Sequence, residues 1–171
     1  MNSKPSPLTG RMLAKKQGIQ QVEDLVSAMR EAIREAEKGW PAGEVPVGAV
    51  LLDRWNGIVA RGHNRCLLDV DPTAHAEIVV IRQAAKIYQN YRLTGATLVV
   101  TIEPCIMCMG AIINARIDTL VFGAFDEKSG AGGSLFNLAQ DPRLNHRLKV
   151  THGILEGECR GLMQGFFTER R

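Results

Sequence analysis

The sequence predicts an α/β protein, a three-layer α/β/α sandwich around a central mixed sheet of five strands. The predicted elements begin with a helix and an antiparallel strand pair, after which helices and strands alternate. Alternation favours parallel strands covered by helices on both faces, and the antiparallel pair makes the sheet mixed. With 171 residues, 45% hydrophobic and 23% charged, the chain has the size and balance of one globular domain.

The N-terminal part of the chain divides at about residue 19. Residues 1–18 are polar and lack hydrophobic periodicity, so we expect a flexible lead-in before a single domain over residues 19–171. From Ile19 apolar residues recur at helical spacing, which predicts an amphipathic helix ending near Gly39 to Pro41. No apolar run has the length of a signal peptide or a membrane helix, so we expect a cytoplasmic protein with no membrane association.

Five short segments are predicted to be strands. The β-rich runs Pro46–Asp53 and Ile58–Gly62 flank Asn56-Gly57, a hairpin turn signal because both residues tolerate positive φ. The other three predicted strands are Thr97–Ile102, Leu120–Phe122 and Leu148–Thr151. The segment Gly123–Asn145 is rich in Gly, Asp and Ser and is expected to form a long loop with at most one helical turn.

Three further helices are predicted. Thr73 is expected to cap a helix over Ala74–Ile87, and Pro104 is expected to open one that runs to about Ala115. The last is amphipathic and ends in Arg170-Arg171; its apolar positions are Cys159, Leu162, Met163, Phe166 and Phe167.

Two of these helices begin with residues that can bind a metal. Cys105 and Cys108 are three apart at one helix start, and His75 lies at the other. One imidazole and two thiolates suit zinc, and three protein ligands leave a fourth position for water, as in catalytic sites. We therefore expect these residues to hold one Zn²⁺, with Glu77 beside them as the catalytic residue that carries protons.

The expected chemistry is a hydrolytic deamination. Zinc lowers the pKa of its water towards ~7, and the resulting zinc-bound hydroxide would attack a ring carbon that bears an amino group. Glu77 would then protonate the ring nitrogen and the leaving ammonia. Cys105 and Cys108 alone would also fit a redox pair or part of a zinc ribbon, but the sequence has no second C-x-x-C.

The combined H-x-E…P-C-x-x-C pattern is the signature of zinc-dependent nucleobase deaminases. From about Val22 to Arg171 the chain resembles the bacterial tRNA-specific adenosine deaminases, a family within the cytidine/deoxycytidylate deaminase superfamily. The matching stretches are Glu44–Ala49, Asp71–Glu77, Asn90–Leu93, Thr101–Cys108, Val121–Ala124 and Asn145–Arg147.

This resemblance implies a cytidine-deaminase-like fold and a homodimer with one zinc per subunit. It implies hydrolysis of adenosine to inosine at wobble position 34 of a tRNA anticodon stem-loop. The residues implied to surround the target nucleotide are Pro46, Val47, Asn64 and Ala76. Asp126 and Lys128 would lie on the loop that follows the neighbouring anticodon bases. The residues implied to flank the entrance are Phe166, Phe167, Arg170 and Arg171.

Several of these residues, and the reaction itself, allow a second interpretation. Phe125 stands where a basic or small residue is expected, so either a phosphate contact is lost or an aromatic ring stacks on a base. At least one of Phe166 and Phe167 is expected in the core, and Asn64 also fits a turn residue.

The shared metal chemistry equally allows a deaminase of a free base or nucleoside such as cytosine, guanine or cytidine, because pocket shape selects the base. A binding module that kept the metal but lost catalysis is a third hypothesis.

Overall fold

A computed structural model describes the backbone of residues 7–170 and the side chains of residues 22–170. The elements in chain order are α1 (Pro7–Gly39), β1 (Gly48–Leu52), β2 (Ile58–His63), α2 (Ala76–Tyr88), β3 (Thr97–Ile102), α3 (Ile106–Asn114), β4 (Thr119–Ala124), β5 (Lys149–His152) and α4 (Glu156–Thr168). Short 3₁₀ turns follow α1 at Trp40–Ala42 and precede β5 at Leu138–Gln140.

The five strands form one mixed sheet in the order β2-β1-β3-β4-β5. β1 is antiparallel to both of its neighbours, whereas β3, β4 and β5 are parallel to one another. Helices α2 and α3 cover one face of the sheet, and α1 and α4 cover the other. The predicted three-layer α/β/α sandwich is confirmed.

The core lies in two apolar layers because β1 and β3 are buried on both faces. Ala49 and Leu51 point into the layer under α2 and α3, and Val50 and Leu52 point into the layer under α1 and α4. The outer helices approach closely. A Cβ at Gly48 would lie 2.0 Å from the carbonyl oxygen of Ala32 on α1, so this contact requires glycine.

The element boundaries follow the sequence predictions closely, with one large difference at the N-terminus. β3 has the predicted bounds, and the hairpin turn contains Asn56 at a φ of 64°. Helix α1, however, begins at Pro7 rather than near Ile19. Residues 7–18 include Arg, Met, Leu, Ala, Lys and Gln, which have high helix propensity. Their apolar residues do not recur at helical spacing, so hydrophobic periodicity does not predict this part of the helix. The flexibility expected of residues 1–18 stays a prediction, and residues 1–6 lie outside the described part.

The topology brings the ends of six elements to one edge of the sheet. Strands β2, β3 and β4 all end there, and β1, which is antiparallel to them, begins there. The residues that follow these strand ends are Asn64, Glu103 and Phe125, and α2 and α3 also begin at this edge. No helix among the described residues is both long and apolar enough to span a bilayer.

Candidate metal centre and substrate cavity

His75, Cys105 and Cys108 meet at this edge with their ligand atoms within 4.8 Å of one another. His75 is the N-cap of α2, Cys105 is the N-cap of α3, and Cys108 lies in the first turn of α3. Nδ1 of His75 is 3.7 Å from Sγ of Cys105 and 3.5 Å from Sγ of Cys108. The predicted triad is therefore assembled, with two helix N-termini directed at it.

These distances fit a tetrahedral zinc ion. Zinc binds histidine nitrogen at about 2.0–2.1 Å and cysteine sulfur at about 2.3 Å, so tetrahedral angles separate nitrogen and sulfur by roughly 3.6 Å. The two observed nitrogen–sulfur distances, 3.7 and 3.5 Å, lie on either side of that value. Among the described residues the cluster has three members, which leaves a fourth tetrahedral position for water.

The thiol pKa values show how strongly the two cysteines interact. Hydrogen bonds from Cys108 and His75 lower the pKa of the Cys105 thiol to about 4. The hydrogen bond to Cys105, together with burial, raises the pKa of the Cys108 thiol. A negative charge on one sulfur disfavours a negative charge on the other, because the two lie close together. A divalent cation between them favours both thiolates, since metal binding displaces thiol protons.

The start of α2 differs from the predicted one and involves Asn64. The predicted N-cap, Thr73, instead bonds to Oδ1 of Asp71 through both its amide and its hydroxyl, each at 2.7 Å, and the helix begins at Ala76. Oδ1 of Asn64 accepts the Ala76 amide at 2.9 Å. A side chain from the end of β2 thus satisfies a first-turn amide, and the His75 side chain is left for the metal.

Glu77 lies in the first turn of α2 and is 3% exposed. Burial raises the pKa of its carboxyl group. A carboxyl group in this environment can hold a proton closer to neutral pH than a solvated glutamate, as a general acid and base requires. It lines the same cavity as His75 and Cys105.

That cavity has a volume of about 180 Å³. This is below the ~300–1,000 Å³ typical of pockets for drug-sized ligands and suits a single base. Its lining residues are Val45, Val47, Asn64, His75, Glu77, Ile102, Glu103, Cys105, Asp126, Ser129 and Met163.

Only two of the four residues implied to contact the target nucleotide line this cavity. Val47 and Asn64 line the cavity, whereas Ala76 is buried and contributes the amide that orients Asn64. Pro46 is buried next to Val47 and does not line the cavity.

A second cavity of about 390 Å³ adjoins the first and shares four residues with it: Ile102, Asp126, Ser129 and Met163. Lys128, Arg160 and Phe167 also line it. Asp126, implied to face RNA, directs its carboxylate into its own loop, where Oδ1 accepts the amides of Lys128 at 3.0 Å and Ser129 at 3.2 Å.

The C-terminal aromatic residues occupy different environments. Phe167 is 49% exposed, whereas Phe166 is 2% exposed and packs edge-to-face on Trp40. The guanidinium carbon of Arg170 lies 4.1 Å from the centroid of the Phe166 ring. Phe166 is thus placed to support Arg170 rather than to touch a ligand. Arg171 lies outside the described residues.

Phe125 is half-buried. Its ring contacts Phe122 edge-to-face at 5.0 Å between centroids and His152 at 4.7 Å. Phe125 also lines the second cavity, so the two alternatives for its ring, stacking on a base or loss of a phosphate contact, stay predictions.

Sequence reasoning did not select Glu103, Ser129 or Met163, all of which line the cavity. The sequence does contain a sign of Glu103: it stands between a buried strand and the first cysteine ligand. A charged residue is rarely buried unless it has a partner, so an acid at this position indicates a specific role. The sequence contains no such sign of Ser129 and Met163, since loop geometry and helix packing bring them to the site.

A family model described as "Cytidine and deoxycytidylate deaminase zinc-binding region" matches residues 22–124. The chain is 51% identical over 143 residues to a tRNA-specific adenosine deaminase of Haemophilus influenzae, covering 84% of this chain and 83% of the relative. It is also 51% identical over 144 residues to the tRNA-specific adenosine deaminase of Bacillus subtilis, covering 84% of this chain and 88% of that protein.

Solved structures show the same similarity. A structure described in work on A-to-I editing by tRNA:A34 deaminases matches with a TM-score of 0.77 and 42% identity, covering 80% of this chain and 98% of the other. A guanine deaminase from Nitrosomonas europaea matches with a TM-score of 0.74, covering 84% of each chain. At 23% identity, this second similarity shows the fold alone.

Proposed function

Because this chain belongs to the family of cytidine and deoxycytidylate deaminases with a zinc-binding region, we propose that it hydrolyses adenosine to inosine at the wobble position of a tRNA anticodon. The observation that carries the proposal is a base-sized cavity whose wall contains both the zinc ligands His75 and Cys105 and a separate buried acid, Glu77. The choice of tRNA adenosine rests on the relatives at 51% identity and on the tRNA:A34 deaminase structure.

His75, Cys105 and Cys108 would hold one zinc ion. When bound, the ion would act as a Lewis acid and lower the pKa of its water towards ~7. Glu77 accepts the proton that water loses as its oxygen bonds to C6 of adenine, and passes it to ring nitrogen N1. A second proton transfer through Glu77 to the amino group lets ammonia leave and the C6 carbonyl form. Burial, which raises the pKa of Glu77, allows the side chain to alternate between its two protonation states.

The walls of the cavity orient the base. Since Oδ1 of Asn64 is committed to the Ala76 amide, the group that Asn64 offers an adenosine is its NH₂ donor. Val47 supplies an apolar wall, and Pro46 fixes the backbone before it.

The neighbouring nucleotides lie along the second cavity. There Phe167 offers an exposed ring for stacking, and Lys128 a cation for the phosphate backbone. Arg170, supported by Phe166, adds charge at the entrance.

The protein acts in the cytoplasm as a homodimer. Large apolar side chains are exposed at positions near the metal ligands in the sequence: Leu67, Leu68 and Val70 before His75, and Ile106 after Cys105. Exposed large apolar residues are typical of protein–protein interfaces where they form one patch. Light scattering that gives the mass of one chain, 18.8 kDa, at micromolar concentration would exclude the dimer.

The test of the function is an assay of zinc-loaded protein on an anticodon stem-loop RNA with adenosine at position 34. We expect inosine at that position, detected by digestion and mass spectrometry, and no product from a matched RNA with guanosine there. Ammonia release from free cytosine, guanine or cytidine, with no inosine in the RNA, would contradict the proposal and favour a small-molecule deaminase.

A further inference from the structure

Glu103 is a buried acid with an unusual set of partners. It is 3% exposed and follows β3, two residues before the zinc ligand Cys105. Its Oε2 accepts the amide of Asp126 at 3.0 Å. Its Oε1 accepts the amides of Gly132 at 2.9 Å and Ser134 at 3.0 Å. Both carboxylate oxygens thus bind the backbone of the segment 126–134, which we call the substrate loop.

The substrate loop is attached to the metal centre at further points. The amide of Ala131 donates to the carbonyl of Pro104 at 2.8 Å, and Gly130 forms an isolated β-bridge with Cys105. The fit around the carboxylate is tight, because a Cβ at Gly130 would lie 2.3 Å from Oε2 of Glu103. The strand end that leads to a zinc ligand therefore also holds the loop that supplies Asp126 and Ser129 to the cavity wall.

Neutral side chains cannot reproduce this arrangement. Three backbone donors converge on one side chain that has only acceptors, which requires a carboxylate. Hydrogen bonds to a charged acceptor are about twice as strong as neutral ones, and leaving a buried N–H unpaired is costly. A glutamine offers a single acceptor oxygen. If that oxygen keeps Gly132 and Ser134, the NH₂ group faces the Asp126 amide, and two donors oppose each other.

We propose that Glu103 is a positioning residue for RNA recognition: its carboxylate fixes the substrate loop so that Asp126 and Ser129 form the cavity wall at the correct distance from the zinc centre. Glu103 acts through the loop and not on the reacting atoms, since its oxygens are occupied by backbone amides. This inference rests on the proposed function, because the loop is assigned to RNA there.

The experiment compares Glu103→Gln with wild-type protein, both zinc-loaded, on the adenosine-34 stem-loop. We expect KM for the RNA to rise about tenfold, kcat to change less than threefold and zinc content to stay the same. Amide hydrogen exchange measured by NMR should accelerate at least tenfold at Asp126, with Gly132 and Ser134 less affected. A loss of kcat at unchanged KM would overturn the proposal, because it would place Glu103 in the chemical step.

A second variant disturbs the same contact from the other side. Gly130→Ala places a methyl group against Oε2 of Glu103 and Oγ of Ser134, 2.3 and 2.4 Å from its Cβ, and should also raise KM. The proposal would be rejected if KM for the RNA were unchanged in Gly130→Ala and Glu103→Gln either did not fold or also had an unchanged KM.

Glu44→Gln is the matched control. Glu44 is equally buried, and its Oε1 accepts the amides of Leu67 at 2.7 Å and Leu68 at 3.0 Å, in a different loop. A tenfold rise of KM in Glu44→Gln as well would assign the effect to general destabilisation and reject the role of Glu103. If the wild-type protein makes no inosine, the proposed function is refuted. The amide hydrogen exchange rates would still test the contact between Glu103 and the substrate loop.

Discussion

Glu77 and Glu103 are both almost fully buried at the same edge of the sheet, yet their surroundings differ. The oxygens of Glu103 are occupied by three backbone amides, which hold a carboxylate in place. Glu77 faces the cavity beside His75, and burial raises the pKa of its carboxyl group. One acid is therefore suited to positioning a loop, and the other to moving protons.

Glu77→Gln should lower turnover strongly without loss of metal. Glutamine keeps the volume and polarity of the side chain but cannot transfer a proton, and general acid–base catalysis contributes roughly 100- to 10,000-fold to rates. We expect kcat for inosine formation to fall by that range, with zinc content unchanged by atomic absorption.

The control for this variant is Glu37→Gln, which changes an exposed acid on α1 and should retain full activity. Turnover of Glu77→Gln within tenfold of wild type would show that another group carries the protons.

At the residue scale, the sequence predicted the parts that depend on residue type and spacing. The metal-binding group of His75, Cys105 and Cys108 was identifiable because zinc chemistry restricts which side chains can serve. The role of Glu103 could not be predicted, because its three partners lie 23 to 31 positions away and meet it only after the sheet forms. Phe166 likewise had an expected role at the entrance, and only packing against Trp40 shows that its ring is covered.

At the element scale, a hydrogen bond between Glu35 and His63 ties α1 to the edge strand β2. Glu35 on α1 accepts Nζ of Lys38 at 2.6 Å, and its other oxygen is 3.3 Å from Nδ1 of His63 on β2. Burial alone would raise the pKa of Glu35, but the hydrogen bonds to Lys38 and His63 outweigh it, and the pKa is lowered. The charged form is therefore stabilised by folding.

Glu35→Gln should change the pH dependence of stability. A carboxyl group with a lowered folded-state pKa contributes stability above its ordinary value of about 4.5, and that contribution is lost as pH falls through and below that value. We expect the variant to be about 1 kcal/mol less stable than wild type at pH 7, with the difference vanishing near pH 3. Urea unfolding of both proteins at pH 7 and near pH 3 measures this difference in the free energy of unfolding.

A constant difference between the two proteins across that pH range would contradict the ionic interpretation. It would mean that Glu35 contributes by packing alone.

The element boundaries show where local signals are sufficient. The hairpin turn at Asn56-Gly57 and strand β3 were predictable because turn residues and continuous apolar runs are local properties. The start of α2 was not, since its first amide is satisfied by Asn64, 12 positions earlier, and the local candidate Thr73 bonds to Asp71 instead.

At the scale of the whole molecule, the site exists because β1 is antiparallel to β2 and β3. This arrangement puts the start of one strand and the ends of three others at the same edge, where α2 and α3 also begin. The sequence predicted the layers and the mixed sheet but not the order β2-β1-β3-β4-β5, because strand order depends on contacts between distant segments. Cavity shape, which selects the base, depends on that order as well.

The most direct test of the metal centre is zinc-edge X-ray absorption on protein whose metal content has been measured. We predict one zinc per chain with two sulfur neighbours at about 2.3 Å and two nitrogen or oxygen neighbours at about 2.0–2.1 Å. These correspond to Cys105, Cys108, His75 and one water. Folded protein without stoichiometric zinc, or a zinc ion surrounded by three or more sulfurs, would contradict a catalytic centre built on these three residues.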